Sequence, residues 1–253
     1  MPFVATGLGL VIGASLGLLG GGGSILTVPI FVYVLGFPAK EAIAMSLGVV
    51  GVTSAVGAVG QWRSGHVDLR AGVTFGVVAA AGTFAGTRLA SHLSGATQLT
   101  IFAVVMLLAA GFMFRGRRDT GAAAGGFQHR WGLLACEALA VGGLTGLVGV
   151  GGGFLIVPAL VLLSMPMRDA VGTSLLIIAG NCAVGIGGNL GVVHFTWTSM
   201  ALVTAGTLPG MAAGTYLHRF VSPASLRRGF AQFLLLVAAY ILYQNGLAAR
   251  LWH

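Results

Sequence analysis

The stretch "GLLGGGGSILTVP", Gly17 to Pro29, returns as "GLVGVGGGFLIVP", Gly146 to Pro158. One glycine cluster beside an apolar run fits a phosphate loop or a turn. Two copies, each closing a long apolar stretch and each reaching Val-Pro twelve residues on, describe a repeated element of the fold. Slid along itself, the chain aligns at an offset of 129 through the clusters and of 128 from Pro38/Pro166 to Phe112/Tyr240. Lys40-Glu41 then falls on Arg168-Asp169, Ser46 on Ser174, His66 on His194, and "GTFAGTRL" (Gly82 to Leu89) on "GMAAGTYL" (Gly210 to Leu217). Ordered polar matches of this kind mark an internal duplication.

Composition places the duplicated chain in a membrane. Of 253 residues 7% are charged and 57% are hydrophobic, whereas a soluble domain carries roughly 25% charged residues. Apolar runs such as Leu69 to Ala90, Leu99 to Phe114 and Phe230 to Tyr243 approach the length that spans a hydrocarbon core. The 43 glycines fit, because small residues let membrane helices approach closely. The net charge of +8 comes from arginines gathered in short loops, which reads as topology and not as nucleic-acid binding. Cys136 and Cys182 lie inside apolar segments, which argues against a disulfide or zinc site. No cofactor is called for. The N-terminal stretch lacks a basic leader region and has an equivalent in the second half, so it reads as structure and not as a signal peptide.

The reading is therefore an all-α polytopic membrane protein with two repeats of four to five helical segments. Helices are predicted at about 3–20, 24–36, 41–60, 69–90 and 97–114, then 131–149, 153–164, 169–190, 197–217 and 224–243. Residues 1–114 form the first repeat, 115–130 a polar linker, 131–243 the second repeat and 244–253 a tail. Basic residues in short loops mark the cytoplasmic side. The linker holds Arg115, Arg117, Arg118 and Arg130 and is placed inside, together with the loop of Arg63 and Arg70. The counterpart of that loop, Gly191 to Thr196, has no basic residue. The loop from Ser91 to Gln98 has none either, while its own counterpart carries Arg219, Arg227 and Arg228. Corresponding loops with opposite charge predict inverted topology. Inversion needs an odd number of crossings per repeat. Ser24 to Gly36 is too short to cross unaided, so the glycine clusters form either the tip of a re-entrant hairpin or the link between two crossings.

Irregular backbone inside a membrane is tolerated where it is buried in protein or lines a cavity. Two inverted breaks followed by short helices would aim two helix N-termini at the midplane, where their unpaired N–H groups suit an anion. Matching interruptions in two halves are also a pointer to a transporter site. The glycine motifs, with "AIAMSL" (Ala42 to Leu47) and "AVGTSL" (Ala170 to Leu175) after them, resemble the TauE/SafE family of sulfite exporters and related permeases over nearly the whole chain. The resemblance implies transport of sulfur-containing anions such as sulfite, sulfonates or sulfoacetate, in a bacterial inner membrane.

Candidate substrate-binding residues are Gly22, Gly23, Ser24, Gly151, Gly152 and Gly153 at the breaks, with Ser46, Thr173, Ser174 and Asn181 on the helices that follow. Asn181 aligns with Thr53 and lies seven residues after Ser174, on a similar helical face. Gln61 and Asn189 are aligned partners nearer a helix end. Glu137 is the acid inside an apolar run and, with His66 and His194, is a candidate for proton coupling. Lys40-Glu41 and Arg168-Asp169 read as interfacial ion pairs, and Arg88 as an anion attractor or a snorkelling side chain.

The expected partners are a small anionic substrate, membrane lipid and, as an open option, further copies of the chain. An enzyme is disfavoured: the glycine clusters lack the Lys-Ser/Thr of a phosphate loop, and neither paired aspartates nor a serine–histidine–acid set stands inside the membrane. A passive anion channel and a proton- or cation-coupled carrier of another solute remain as alternatives.

Overall fold

The computed structural model describes residues 2–19, 24–114, 131–148, 153–162, 165–189, 196–218, 220 and 223–251. Among them every regular element is helical: α1 (Pro2–Leu19), α2 (Ser24–Val34), α3 (Ala39–Arg63), α4 (Leu69–Ala90), α5 (Gly95–Phe114), α6 (Trp131–Val148), α7 (Gly153–Leu162), α8 (Met167–Asn189), α9 (Trp197–His218) and α10 (Pro223–Leu251). The chain is an all-α membrane protein. By length and composition α3, α4 and α8 can each cross a bilayer unaided. The linker of residues 115–130 lies outside the described residues.

Local chemistry sets the boundaries. The Asp68 carboxylate accepts the Ala71 N–H at 3.0 Å and so caps α4. Glu41 and Asp169 occupy the first turns of α3 and α8, where the helix dipole favours an acid. Gly36 and Gly65 stop α2 and α3 at φ of 73° and 75°, a left-handed conformation that side chains resist. Short α2 starts tight, passes through one α turn and then widens at Ile30–Val34, where Leu35 N–H reaches Ile30 O at 2.9 Å. It spans about 16 Å, half a membrane core. Both α2 and α7 begin at a buried residue, Ser24 and Gly153, and lead towards an exposed proline before the next helix, Pro38 and Pro166.

Backbone contact at glycine organises the bundle. Gly9, Gly13 and Gly17 of α1 press on α9 around Gly206, Gly210 and Gly214, the two helices running parallel. A Cβ on Gly13 would run into the Thr207 carbonyl and the Met211 nitrogen. In the same way Gly82 and Gly86 of α4 press on α6 at Gly143, and Gly142 and Gly146 of α6 press on α4 at Ala79 and Thr83. Gly13 and Gly17 are the aligned partners of Gly142 and Gly146, and Gly210 and Gly214 those of Gly82 and Gly86. The first helix of each half therefore packs on the fourth helix of the other half.

The long central helices obey the same exchange. Helix α3 lies along α9, Gly48 by Met200 and Gly57 by Met211, while α8 lies along α4, Gly72 by Leu176 and Gly188 by Thr87. At the centre, Leu47 meets Gly185, Gly51 meets Cys182 and Gly57 meets Leu175. Equivalent helices α3 and α8 thus run antiparallel through the core. One end of the bundle, where α3 finishes and α4 and α8 begin, carries Arg63, Arg70 and Arg168; the other carries Lys40 and Arg88.

Apolar side chains left exposed, such as Val73 and Val77 on α4, Leu108 on α5 and Leu236 on α10, form the lipid-facing surface. Trp62, Trp197, Tyr216 and Phe220 sit exposed at helix ends, as side chains with an apolar body do at a membrane interface.

Candidate functional site

The crossing of α3 and α8 concentrates the buried polar groups. Ser46, Thr53 and Ser54 on α3, Thr173, Ser174 and Asn181 on α8, and Thr207 on α9 are all shielded from solvent. A polar group in such a place needs a partner or carries a desolvation cost. Most have one within their own helix. Ser46 donates to Ile43 O at 2.7 Å, and its aligned partner Ser174 to Val171 O at 2.8 Å. Thr83 donates to Ala79 O at 2.9 Å. A hydroxyl has one proton, so these three have none left to donate to a further group.

Thr53 and Thr207 close on one another. Thr53 Oγ1 lies 2.7 Å from Val49 O and 2.6 Å from Thr207 Oγ1, which itself lies 2.8 Å from Thr204 O. Two protons serve three contacts, and neither is left for another ligand. This bond ties α3 to α9 across the two halves. Thr53→Val and Thr207→Val are expected to show a coupling of about 0.5–1.5 kcal/mol in a double-mutant cycle read by unfolding in detergent. Strictly additive losses would remove the tie.

The other half breaks this pattern. Thr53 aligns with Asn181, and Thr207 aligns with Ala79. Gly72 against Thr173 and Leu176, and Gly185 against Thr83, set Ala79 at the level of Asn181. A methyl group cannot bond an amide. Asn181 is 0% exposed, and neither its Nδ2 nor its Oδ1 has a hydrogen-bond partner among the described residues. Ser54 Oγ and Thr27 Oγ1 are likewise buried without a partner there.

Several predicted residues stand elsewhere. Thr173 Oγ1 accepts the Asp68 N–H at 2.9 Å, so it fastens the loop before α4, about 12 Å along α8 from Asn181. His66 lies in that loop, with Nδ1 3.2 Å from Asp169 Oδ1 and both side chains about 40% exposed. Asp169 therefore faces His66 and not the adjacent Arg168, because neighbours in a helix point in different directions. Lys40 Nζ donates to Ser91 O at 3.2 Å, and the Arg88 guanidinium stacks 5.3 Å from the centre of the Phe84 ring. Asn189 donates to Gly185 O at 2.9 Å, and Gln61 lies beside Gly172.

Glu137 is half-buried on α6, not on either crossing helix. Cys136 is exposed on α6 and Cys182 is buried on α8, both as free thiols. Ser24 and Gly153 are buried at the starts of α2 and α7. Gly22, Gly23, Gly151, Gly152 and His194 lie outside the described residues.

Ser54, Thr27 and Thr207 were not singled out from sequence. Ser54 stands two turns beyond Ser46 on α3, a spacing that offers a signal. Thr27 falls inside the first glycine motif, where the second copy has Ile156. Thr207 aligns with an alanine, so the duplication hides it.

Comparison with known proteins agrees with this architecture. Residues 5–241 match the family described as Sulfite exporter TauE/SafE. A "Probable membrane transporter protein" of Xylella fastidiosa (strain Temecula1) is 33% identical over 96% of this chain and 95% of its own length. The "Probable membrane transporter protein YdhB" of Bacillus subtilis is 26% identical over 82% of this chain and 84% of its own. No solved structure matches.

Proposed function

We propose, for a chain that belongs to the Sulfite exporter TauE/SafE family and is an integral membrane transporter, that it carries small sulfur-containing anions such as sulfite and short sulfonates. The two halves act as inverted repeats, and the substrate sits at the α3–α8 crossing between them. Rocking of one set of helices against the other then exposes that site to each side in turn. The direction is export from a bacterial inner membrane, with the Arg63, Arg70 and Arg168 end of the bundle in the cytoplasm.

The observation that carries this reading is Asn181, a buried amide with both polar atoms unpartnered among the described residues, at the crossing of the two aligned helices. Buried polar groups without partners are rare in folded proteins and call for a role. Among the described residues the buried polar set holds hydroxyls and amides but no lysine, arginine or histidine. The Asn181 NH2 and the Ser54 hydroxyl are neutral donors, which can hold an oxyanion and still release it where a fixed counter-charge would retain it.

The test is uptake of labelled sulfite and a short sulfonate into proteoliposomes, against chloride and acetate. The expected result is saturable flux of the sulfur anions. A current that grows without saturation would make the protein a channel, and movement of a cation without anion flux would discard the anion site. An imposed proton gradient that speeds wild-type uptake and not that of Glu137→Gln would assign coupling to that acid.

A further inference from the structure

The hydrogen-bonding inventory of the crossing narrows the substrate class. We infer that the site takes monoanions that bring a hydrogen-bond donor of their own, an O–H or N–H, in preference to anions that only accept. This rests on the anion reading above and deepens it.

Three observations converge. Asn181 presents an NH2 and a C=O, and both are buried without a partner among the described residues. Exchanging the two atoms changes nothing, since both are unpartnered. An acceptor-only oxyanion satisfies the NH2 and leaves the carbonyl facing lone pairs. A ligand that also carries a donor satisfies both.

Second, the neighbouring hydroxyls are acceptors. Thr83 has committed its proton to a backbone carbonyl, and Thr53 and Thr207, level with Asn181 on α3 and α9, have shared theirs. Thr83 lies on the side of α4 that meets Gly185, one turn beyond Asn181. Buried donors without a partner among the described residues at the crossing reduce to the Asn181 amide and Ser54, with Thr27 and Tyr33 on α2.

Third, no basic side chain appears among the buried polar groups described. A second negative charge would be desolvated with no counter-charge, a far larger penalty than for one. Hydrogensulfite meets both conditions, and so does a hydroxy-substituted sulfonate; sulfate and the sulfite dianion do not.

The test compares two probes of equal charge and similar size: 2-hydroxyethanesulfonate, which carries a donor, and 1-propanesulfonate, which replaces its hydroxyl by methyl. Each is titrated against labelled sulfite uptake in proteoliposomes. Its stabilisation of the purified protein against heat gives a second reading of binding. The hydroxy compound is expected to be about tenfold or more the stronger ligand, because the alkyl compound leaves a buried carbonyl unpaired. In Asn181→Ala both should weaken and their curves should come within about twofold.

Equal potency in the wild type, with sulfite flux intact, would overturn the donor requirement and leave the anion reading standing. Absence of sulfite flux and of binding by either probe would overturn that reading itself. A preference that persists in Asn181→Ala would remove Asn181 from the recognition.

Discussion

Asn181→Leu is expected to make the protein more stable and a poorer transporter. Leucine keeps about the same bulk and removes a buried amide without partners among the described residues, whose desolvation cost is about 1–3 kcal/mol. Thermal unfolding in detergent should shift upward by a few degrees, at roughly 2–4 °C per kcal/mol for a chain of this size. Sulfite uptake in proteoliposomes should fall by about tenfold or more, since the substrate loses the group that reads it. A stability–activity trade-off of this sign is what a functional polar group in a core produces. A drop in stability would instead mean that the amide is bonded within the fold, and the site would have to move elsewhere.

The opposite sign is expected at the glycine interfaces. In Gly13→Leu and Gly142→Leu the new side chain has nowhere to go. A Cβ on Gly13 meets the backbone of Thr207 and Met211, and one on Gly142 meets the backbone of Ala79. Rotamer adjustment cannot relieve a clash with backbone, so the paired helices must separate, at a cost of roughly 3 kcal/mol or more. Without close packing, little else holds apolar helices together in lipid. Both variants should lose the single sharp peak in size-exclusion chromatography. Gly7→Leu and Gly111→Leu, where a Cβ meets nothing within 4 Å, should behave as wild type. Equal behaviour of the two pairs would refute the interlocked packing.

Much of this architecture is legible in the chain because hydrophobic runs are local and the duplication shows when the chain is slid along itself. The span predicted at 69–90 is α4 to the residue, and the short segments after each glycine motif appear as α2 and α7. Asn181 is legible because it is a polar residue aligned with another polar residue inside an apolar run. What stayed hidden depends on partners far apart in sequence. Nothing in "GLGLVIGASLG" says that Gly9, Gly13 and Gly17 face α9 and not α3. Thr207 gains meaning only once it touches Thr53, 154 positions away. Ser46 and Ser174, candidates for the substrate, have given their protons to their own helices, a choice that sequence leaves open. The Arg168-Asp169 reading had a rule against it all along, since adjacent helical residues do not face each other.

The exchange of first and fourth helices between halves also sets a clock for assembly. Gly9, Gly13 and Gly17 leave the ribosome early, yet their seat around Gly206, Gly210 and Gly214 is translated roughly 200 positions later. Until α9 is made, the α1 glycines lack the backbone they pack on. The second such joint, α4 with α6, can form sooner, because its contacting residues are only some sixty positions apart. A nascent chain arrested before α9 therefore holds one finished joint and one open groove, a form that quality control can distinguish from the completed protein.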